Sequence, residues 1–280
     1  GIPSSRLNDG SLVQLGHGGA QRRIWTAETD RTSAIAEGIS RDKDLTKQLL
    51  AAAGVPVPEG RTVESAEAAW DAAEDIGLPV VVKPSDGNHA RGVSLNLKTR
   101  DEVMHAFAAA EQEGSEVLVE RFVPGQEHRL LVVGGKVVAA TRGEIIRVGG
   151  DGKSTIAQLI DMQVNTDPRR GEEEHLPLET LRADDSVLLL LLQRQGFTPD
   201  SVLPRGESAV VQRTGNMAID VTGQVHPDIA EQMALAARVV GLDIAGIDLV
   251  VEDIAQPLAP QGGAIVEVNA CPGLLMHLKP

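Results

Sequence analysis

The sequence predicts an α+β fold, two α/β lobes whose sheets are mostly antiparallel. Three observations point there. Strand-like runs come in adjacent pairs across Gly- or Pro-rich turns, at residues 129–133 and 136–140 around Gly134-Gly135 and at 244–252 and 264–269 around 253–263. Helical patterns alternate with these runs, and residues 55–122 read as a β-α-β-β-α-β unit. The 42% hydrophobic content is almost wholly aliphatic, with 3 Phe, 2 Trp and no Tyr, which suits helices layered on a buried sheet. A chain of 280 residues has room for one large domain or two of ordinary size.

Taken in order, residues 8–40 read as a short hairpin, with Leu12-Val13-Gln14-Leu15 before Gly16, Gly18 and Gly19 and Ile24-Trp25 after them, leaving by a polar, Thr-rich exit. From Asp42 the spacing turns helical, with Leu45, Leu49 and Leu50 on one face and Gly54 and Pro56 as the stop. A second helix over 66–76 turns Ala69, Trp70, Ala73 and Ile76 inward and ends at Gly77. Residues 79–84 form a buried strand closed by proline, followed by a polar glycine loop at 85–92. A helix over 101–113 and a strand over 116–120 complete the unit. His226-Pro227-Asp228 opens a further helix that Gly241 closes. Residues 149–186 are the least regular and read as a mobile insertion, although Ser154 is placed to cap a helix carrying Ile156, Leu159 and Ile160. The chain therefore divides into a lead-in hairpin and helix (1–48), an N-terminal lobe (49–122) and a C-terminal lobe (123–280), with no linker-like tract between lobes that face each other across a cleft.

Composition removes several classes of function. The chain carries 40 acidic and 26 basic residues, a net charge of −14, which repels polyanions over most of the surface and argues against nucleic-acid and acidic-membrane partners. The single cysteine, Cys271, excludes an intramolecular disulfide framework and fits a reducing compartment, with the cytoplasm as the default. No apolar stretch approaches the length needed to span a bilayer; the longest run is residues 187–192.

The chemistry-bearing residues fall into clusters. Lys83 ends an apolar strand, where an unpaired ammonium is costly, so it needs a carboxylate or a bound phosphate; a solvated strand-end lysine is the plain alternative. The adjacent Gly87, Asn88, His89, Arg91 and Gly92 offer backbone and side-chain donors to an anion. Gly152-Lys153-Ser154 is no P-loop, because Arg147 stands where that motif requires glycine. Asp248, Glu267 and Asn269 lie near the ends of neighbouring strands, and alternation puts Glu267 and Asn269 on one face, as a hard cation such as Mg²⁺ requires; solvated acids on a sheet edge are the alternative. Glu120 and Glu127 bracket Arg121-Phe122-Val123-Pro124-Gly125, a strand exit able to hold a purine ring with Glu127 at the ribose. Cys271 lacks a histidine nearby in sequence to activate it, and His17, His175 and His277 show no metal-ligand spacing.

The strings Asp42-Lys43, Ala53-Gly54-Val55-Pro56, Val81-Val82-Lys83-Pro84, Val119-Glu120-Arg121-Phe122, Gly246-Ile247-Asp248 and Glu267-Val268-Asn269-Ala270-Cys271-Pro272-Gly273 together resemble the ATP-grasp carboxylate–amine ligases. Longer strings, among them residues 26–34, 83–93 and 150–156, resemble the central domain of the cyanophycin synthetases, nearly end to end. The resemblance implies an ATP-grasp fold in which the N-terminal lobe is a lid over a nucleotide cleft. It implies ATP-dependent addition of aspartate to the C-terminal carboxylate of a poly-aspartate backbone through an acyl phosphate. Lys43 and Lys83 would contact phosphates, Glu120, Arg121, Phe122 and Val123 the base, Glu127 the ribose, and Asp248, Glu267 and Asn269 the Mg²⁺. His89 and Arg129 are the candidates for holding the acceptor carboxylate or acyl phosphate, with Lys83 as the third catalytic group.

Gly246 stands where D-alanine:D-alanine ligases carry an arginine, so the charge must come from elsewhere, with Arg129 the candidate. The loop at 212–218 is also shorter and poorer in Ser and Gly than the resemblance leads one to expect. The implied partners are the cyanophycin polymer primer, flanking N-terminal and Mur-ligase-like domains in the full-length protein, and further copies of the chain in a homo-oligomer. The acidic run at 172–174 is a candidate for retaining arginine-bearing polymer branches. End-to-end joining of β-aspartyl-arginine dipeptides, and a non-catalytic polymer- or nucleotide-binding module, are the alternatives.

Overall fold

A computed structural model describes all residues except 86–91, 115, 172–175, 177, 214–216 and 279–280. The described chain forms two compact units that interleave along the sequence. One comprises Gly1–Pro58, Val123–Thr141 and Asp220–Leu278; the other comprises Glu59–Phe122 and Arg142–Ile219.

The expected lead-in hairpin is the middle of a four-stranded antiparallel meander, β1 (Ser4–Arg6), β2 (Leu12–Leu15), β3 (Arg22–Trp25) and β4 (Glu28–Thr29). The polar exit then forms a helix that the spacing does not predict, α1 (Ala34–Arg41), with Ser33 accepting from the Ala36 N–H as its cap. Asp42 ends α1 and caps α2 (Lys43–Ala52) by accepting from the Leu45 N–H. The inner face of α2 differs from the expected one: Thr46 and Leu50 are buried, whereas Leu45 is exposed. Thr46 is tolerated inside because its hydroxyl donates to the Ile39 carbonyl at 2.6 Å, closing the corner between the two helices.

Residues 59–122 form the expected β-α-β-β-α-β unit: β5 (Gly60–Val63), α3 (Ala66–Ile76), β6 (Val80–Pro84), β7 (Ser94–Leu97), α4 (Arg100–Glu111) and β8 (Val117–Arg121). The strands make an antiparallel sheet ordered β5-β8-β6-β7. Ala69, Ala73 and Ile76 of α3 and Val103, Ala106 and Phe107 of α4 pack with Val80, Val82 and Val119 in one core. Trp70 is only partly buried at its margin.

The chain continues through β9 (Gln126–Val133) and β10 (Lys136–Gly143), whose hairpin turn holds Gly134 and Gly135 at φ of 57° and 75°, a left-handed pair that non-glycine residues resist. It then enters β11 (Ile146–Gly149), α5 (Ile156–Gln163), α6 (Ser186–Gln193) and β12 (Ser208–Gln212), and β11 pairs with β12. Part of the stretch read as a mobile insertion, 149–186, is the helix α5. Ile156, Leu159 and Ile160 are buried with Leu188, Leu192, Leu203 and Val211. Asn165 exchanges two hydrogen bonds with the Leu181 backbone, and buried Arg170 donates to the Glu179 carbonyl. The cap of α5 is Thr155, in a capping box with Gln158, and not Ser154. Ser154 instead joins the Ser154 and Lys153 N–H groups in a turn around the Asp151 carboxylate, and those bonds pull the carboxyl down to about 2.

After β13 (Met217–Asp220) come α7 (Pro227–Val240), β14 (Ile244–Val251), β15 (Ala264–Asn269) and the short α8 (Leu275–Leu278). The α7 helix has Pro at its first turn and Gly241 as its left-handed cap, and it packs Ile229, Met233, Ala236 and Val240 inward. The large sheet is ordered β13-β10-β9-β14-β15. Among the described residues no helix is long and apolar enough to cross a membrane.

Candidate active site

The register of the large sheet lines up three charged residues across three strands: Arg129 on β9 faces Asp248 on β14, which faces Glu267 on β15. Directly opposed residues share a sheet face, so the three side chains stand together. Two residues along, Gly246 opposes Asn269, bringing the amide to the same face. Asp248 is 3% exposed, and Arg129 donates to both its oxygens, from Nη2 to Oδ2 at 2.8 Å and from Nε to Oδ1. Such a bidentate pair is strong and directional.

Burial pushes the Asp248 carboxyl up, to about 7, against the pull of Arg129 and with the repulsion of Glu267 and Glu127 behind it. Burial also works against the Arg129 charge, but Asp248 and then Glu267 more than offset it and raise the guanidinium. Arg129 is therefore the fixed positive charge of this face. Lys43, at the start of α2, adds a second, with Nζ 3.5 Å from a Glu267 oxygen.

Gly246 explains how Arg129 fits. A Cβ at that position would lie 2.6 Å from Pro272 Cβ and 3.3 Å from Arg129 Nη1, so the guanidinium occupies the space that a side chain at 246 would need. Beyond Asn269 the chain turns at Cys271, which has φ of 49° and is exposed, its Sγ 2.7 Å from Thr26 Oγ1.

In the other unit, Lys83 on β6 pairs with Glu120 on β8 at 2.9 Å. The carboxylate is therefore one partner of this lysine, and Glu120 is 2% exposed. At the end of β8, Arg121 reaches Glu59 at 2.9 Å, and the Phe122 N–H donates to the Pro79 carbonyl at 3.0 Å. Glu127 is half-buried at the start of β9, opposite Val250. His89 and most of the glycine loop lie outside the described residues, as do 172–174 and the centre of the 212–218 loop.

The geometry thus brings together Lys43, Arg129, Asp248, Glu267 and Asn269 within one unit, and Lys83 with Glu120 in the other. Sequence reasoning did not single out the ring of His277 on α8, whose nitrogens are shielded and without a hydrogen-bond partner among the described residues.

The protein-family model described as "Carbamoyl-phosphate synthase L chain, ATP binding domain" matches residues 42–159. The cyanophycin synthetase of Trichormus variabilis is 40% identical over the whole of this chain. The chain has the ATP-grasp fold. It spans about a third of the length of that relative, 32%. The glutathione biosynthesis bifunctional protein GshAB of Streptococcus thermophilus is 35% identical over 89% of the chain and 34% of its own length. Among solved structures, a bifunctional glutathione synthetase from Pasteurella multocida matches with a TM-score of 0.62 at 26% identity, covering 100% of this chain and 39% of that one.

The donor set of the domain suits a hard divalent cation. Asp248, Glu267 and Asn269 offer oxygen only, and Mg²⁺ takes one or two carboxylates with water and phosphate completing its shell. Among the described residues no cluster of three or more His, Cys, Asp or Glu could hold a metal ion.

Proposed function

We propose that this ATP-grasp domain is an ATP-dependent carboxylate–amine ligase of cyanophycin synthesis, working in the cytoplasm. The reading assigns it the addition of aspartate to the C-terminal carboxylate of a poly-aspartate backbone. The end-to-end 40% identity to a cyanophycin synthetase carries the substrate class. The row Arg129, Asp248, Glu267 with Lys43 beside it supports the chemistry, because phosphoryl transfer is catalysed mainly by positioned charge.

The acceptor carboxylate oxygen attacks the γ-phosphorus of ATP; the bond to the bridging oxygen breaks, and ADP departs. The aspartate amine then attacks the acyl carbon, loses a proton, and expels phosphate as the peptide bond forms. In this reading Lys43 and Lys83 neutralise phosphate charge, and Lys83 exchanges its Glu120 contact for a phosphate oxygen. Glu120, Arg121, Phe122 and Val123 hold the base and Glu127 the ribose. Asp248, Glu267 and Asn269 hold Mg²⁺, which when bound screens the phosphate oxygens during transfer. Arg129 and His89 hold the acceptor end. The segment 49–122 acts as the lid. The complete assembly adds N-terminal and Mur-ligase-like domains and further copies of the chain.

The test is ADP formation and product mass with ATP, magnesium and a tetra-aspartate primer, supplied with aspartate or with β-aspartyl-arginine dipeptide. Growth by one aspartyl residue is expected. Growth only with the dipeptide replaces the nucleophile, and ADP formation with neither removes the ligase assignment. Glu267→Gln is expected to lower turnover by about 100-fold or more, since it removes a charge that positions the transferring phosphoryl group.

A further inference from the structure

The turn that follows β15 is held from two sides. On one side it lies over β14, where Pro272 is buried and its Cβ would stand 2.6 Å from a Cβ at Gly246. On the other, Cys271 Sγ lies 2.7 Å from Thr26 Oγ1, at the tip of the turn between β3 and β4. The Thr26 hydroxyl donates to the Trp25 carbonyl, which leaves its oxygen to accept from the Cys271 thiol. Both residues have a left-handed φ, 55° and 49°, which residues other than glycine keep only where their neighbours hold them. Ala27, the next residue of the tip, is buried, so the tip is seated.

The meander is anchored at a second point. The Thr29 hydroxyl donates to Asp243 Oδ2 and the Thr32 hydroxyl to Asp243 Oδ1 at 3.0 Å, and Asp243 directly precedes β14. Strands of two to four residues bury too little to stand alone, yet here they are tied to the start of β14 and to the turn beyond β15. Asn269, the last residue of β15, lies two residues before Cys271. Its side chain makes no hydrogen bond among the described residues, so its aim is set by the backbone that carries it. From this we infer that the meander is a strap on the Asn269–Gly273 turn, and that Thr26, acting through Cys271, is a positioning residue for Asn269. The inference rests on the ligase reading for the cation that Asn269 meets.

The experiment measures ADP binding by calorimetry as magnesium is varied, in the wild type, Thr26→Ala and Thr26→Ser; alanine and serine differ only by the hydroxyl. Thr26→Ala is expected to need about 3- to 10-fold more Mg²⁺ for half-saturation, the span of one neutral hydrogen bond, with its affinity for metal-free ADP unchanged. Thr26→Ser should restore the wild-type requirement. Cys271→Ala should show the same rise, and adding Thr26→Ala to it should bring no further rise, because both remove one bond. In asparagine-labelled protein the Asn269 side-chain amide resonances should shift in Thr26→Ala and return in Thr26→Ser, a readout that needs neither nucleotide nor turnover. A magnesium requirement that is present but equal in the two Thr26 variants, losses that add in the double variant, or Asn269 resonances that ignore the hydroxyl would each overturn the strap. A wild type whose ADP binding ignores magnesium, with Asn269 resonances that still respond to Thr26→Ala and recover in Thr26→Ser, keeps the strap and removes the metal reading.

Discussion

Removing Arg129 leaves the Asp248 carboxylate buried without a counter-charge. Arg129→Met is therefore expected to destabilise the protein by about 3–5 kcal/mol, read from denaturant unfolding. The double variant Arg129→Met/Asp248→Leu should recover most of the loss, because it removes both charges together. A double variant as unstable as the single one would show that the loss comes from packing around Gly246 and Pro272. His277 adds a pH dependence of known sign. Its folded pKa, about 4, lies below the ordinary 6.5, so the fold favours the neutral ring. Its contribution is present in full above about pH 6.5 and is lost as the pH falls toward 4. Melting temperatures of the wild type should fall more steeply through that window than those of His277→Gln, and parallel slopes would contradict this account. At this scale Lys83, Asp248, Glu267 and Asn269 were legible as residues in need of partners. Which partner each has was not, because that depends on register and on side chains brought from other elements.

The elements of residues 59–122 were legible almost residue by residue. Ser65 and Gly77 bound α3, Thr99 and Glu102 box the start of α4, and the apolar runs between them have strand length. By contrast, the segment that forms α1 reads in the sequence only as the polar exit of a hairpin. Its Ile35 is 76% exposed and Gly38 sits mid-helix, so neither periodicity nor propensity favours it; Ser33 was the one available signal. The segment containing α5 looked irregular because its order comes from side-chain to backbone bonds such as those of Asn165 and Arg170, which have no periodic signature. A comparable junction ties α6 to the neighbouring sheet. Arg194 donates to the Leu95 and Asn96 carbonyls and pairs with Glu102 at 3.0 Å. Arg194→Ala is expected to cost about 1–3 kcal/mol, since charge-assisted bonds are lost. Hydrogen exchange in β7 and at the start of α4 should rise in that variant; unchanged exchange there would assign the effect to α6 alone.

Across the whole molecule, the net charge of −14 sets which polymers approach. A polyanion is repelled at long range, whereas an arginine-branched poly-aspartate carries one guanidinium and one α-carboxylate per repeat and is close to neutral, so salt, which shortens the screening length, acts mainly on the polyanion. Association of unbranched poly-aspartate should therefore quicken on going from low to physiological salt, while that of an arginine-branched poly-aspartate should change little. The same slope for both would show that local charge around Arg129 and Lys43 outweighs the global balance.

The amino-acid sequence by itself determined the α+β class, most strand and helix positions, and the residue types able to bind phosphate and a divalent cation. Those are properties of short windows: periodicity, caps, turn glycines, and charges embedded among aliphatic neighbours. Tertiary structure alone decided the interleaving of the two units along the chain, the row Arg129, Asp248, Glu267, and the use of Gly246 as room for a guanidinium. Each of these joins residues far apart in the chain, and a burial energy or a charge–charge energy depends on distance in space, which no local pattern encodes.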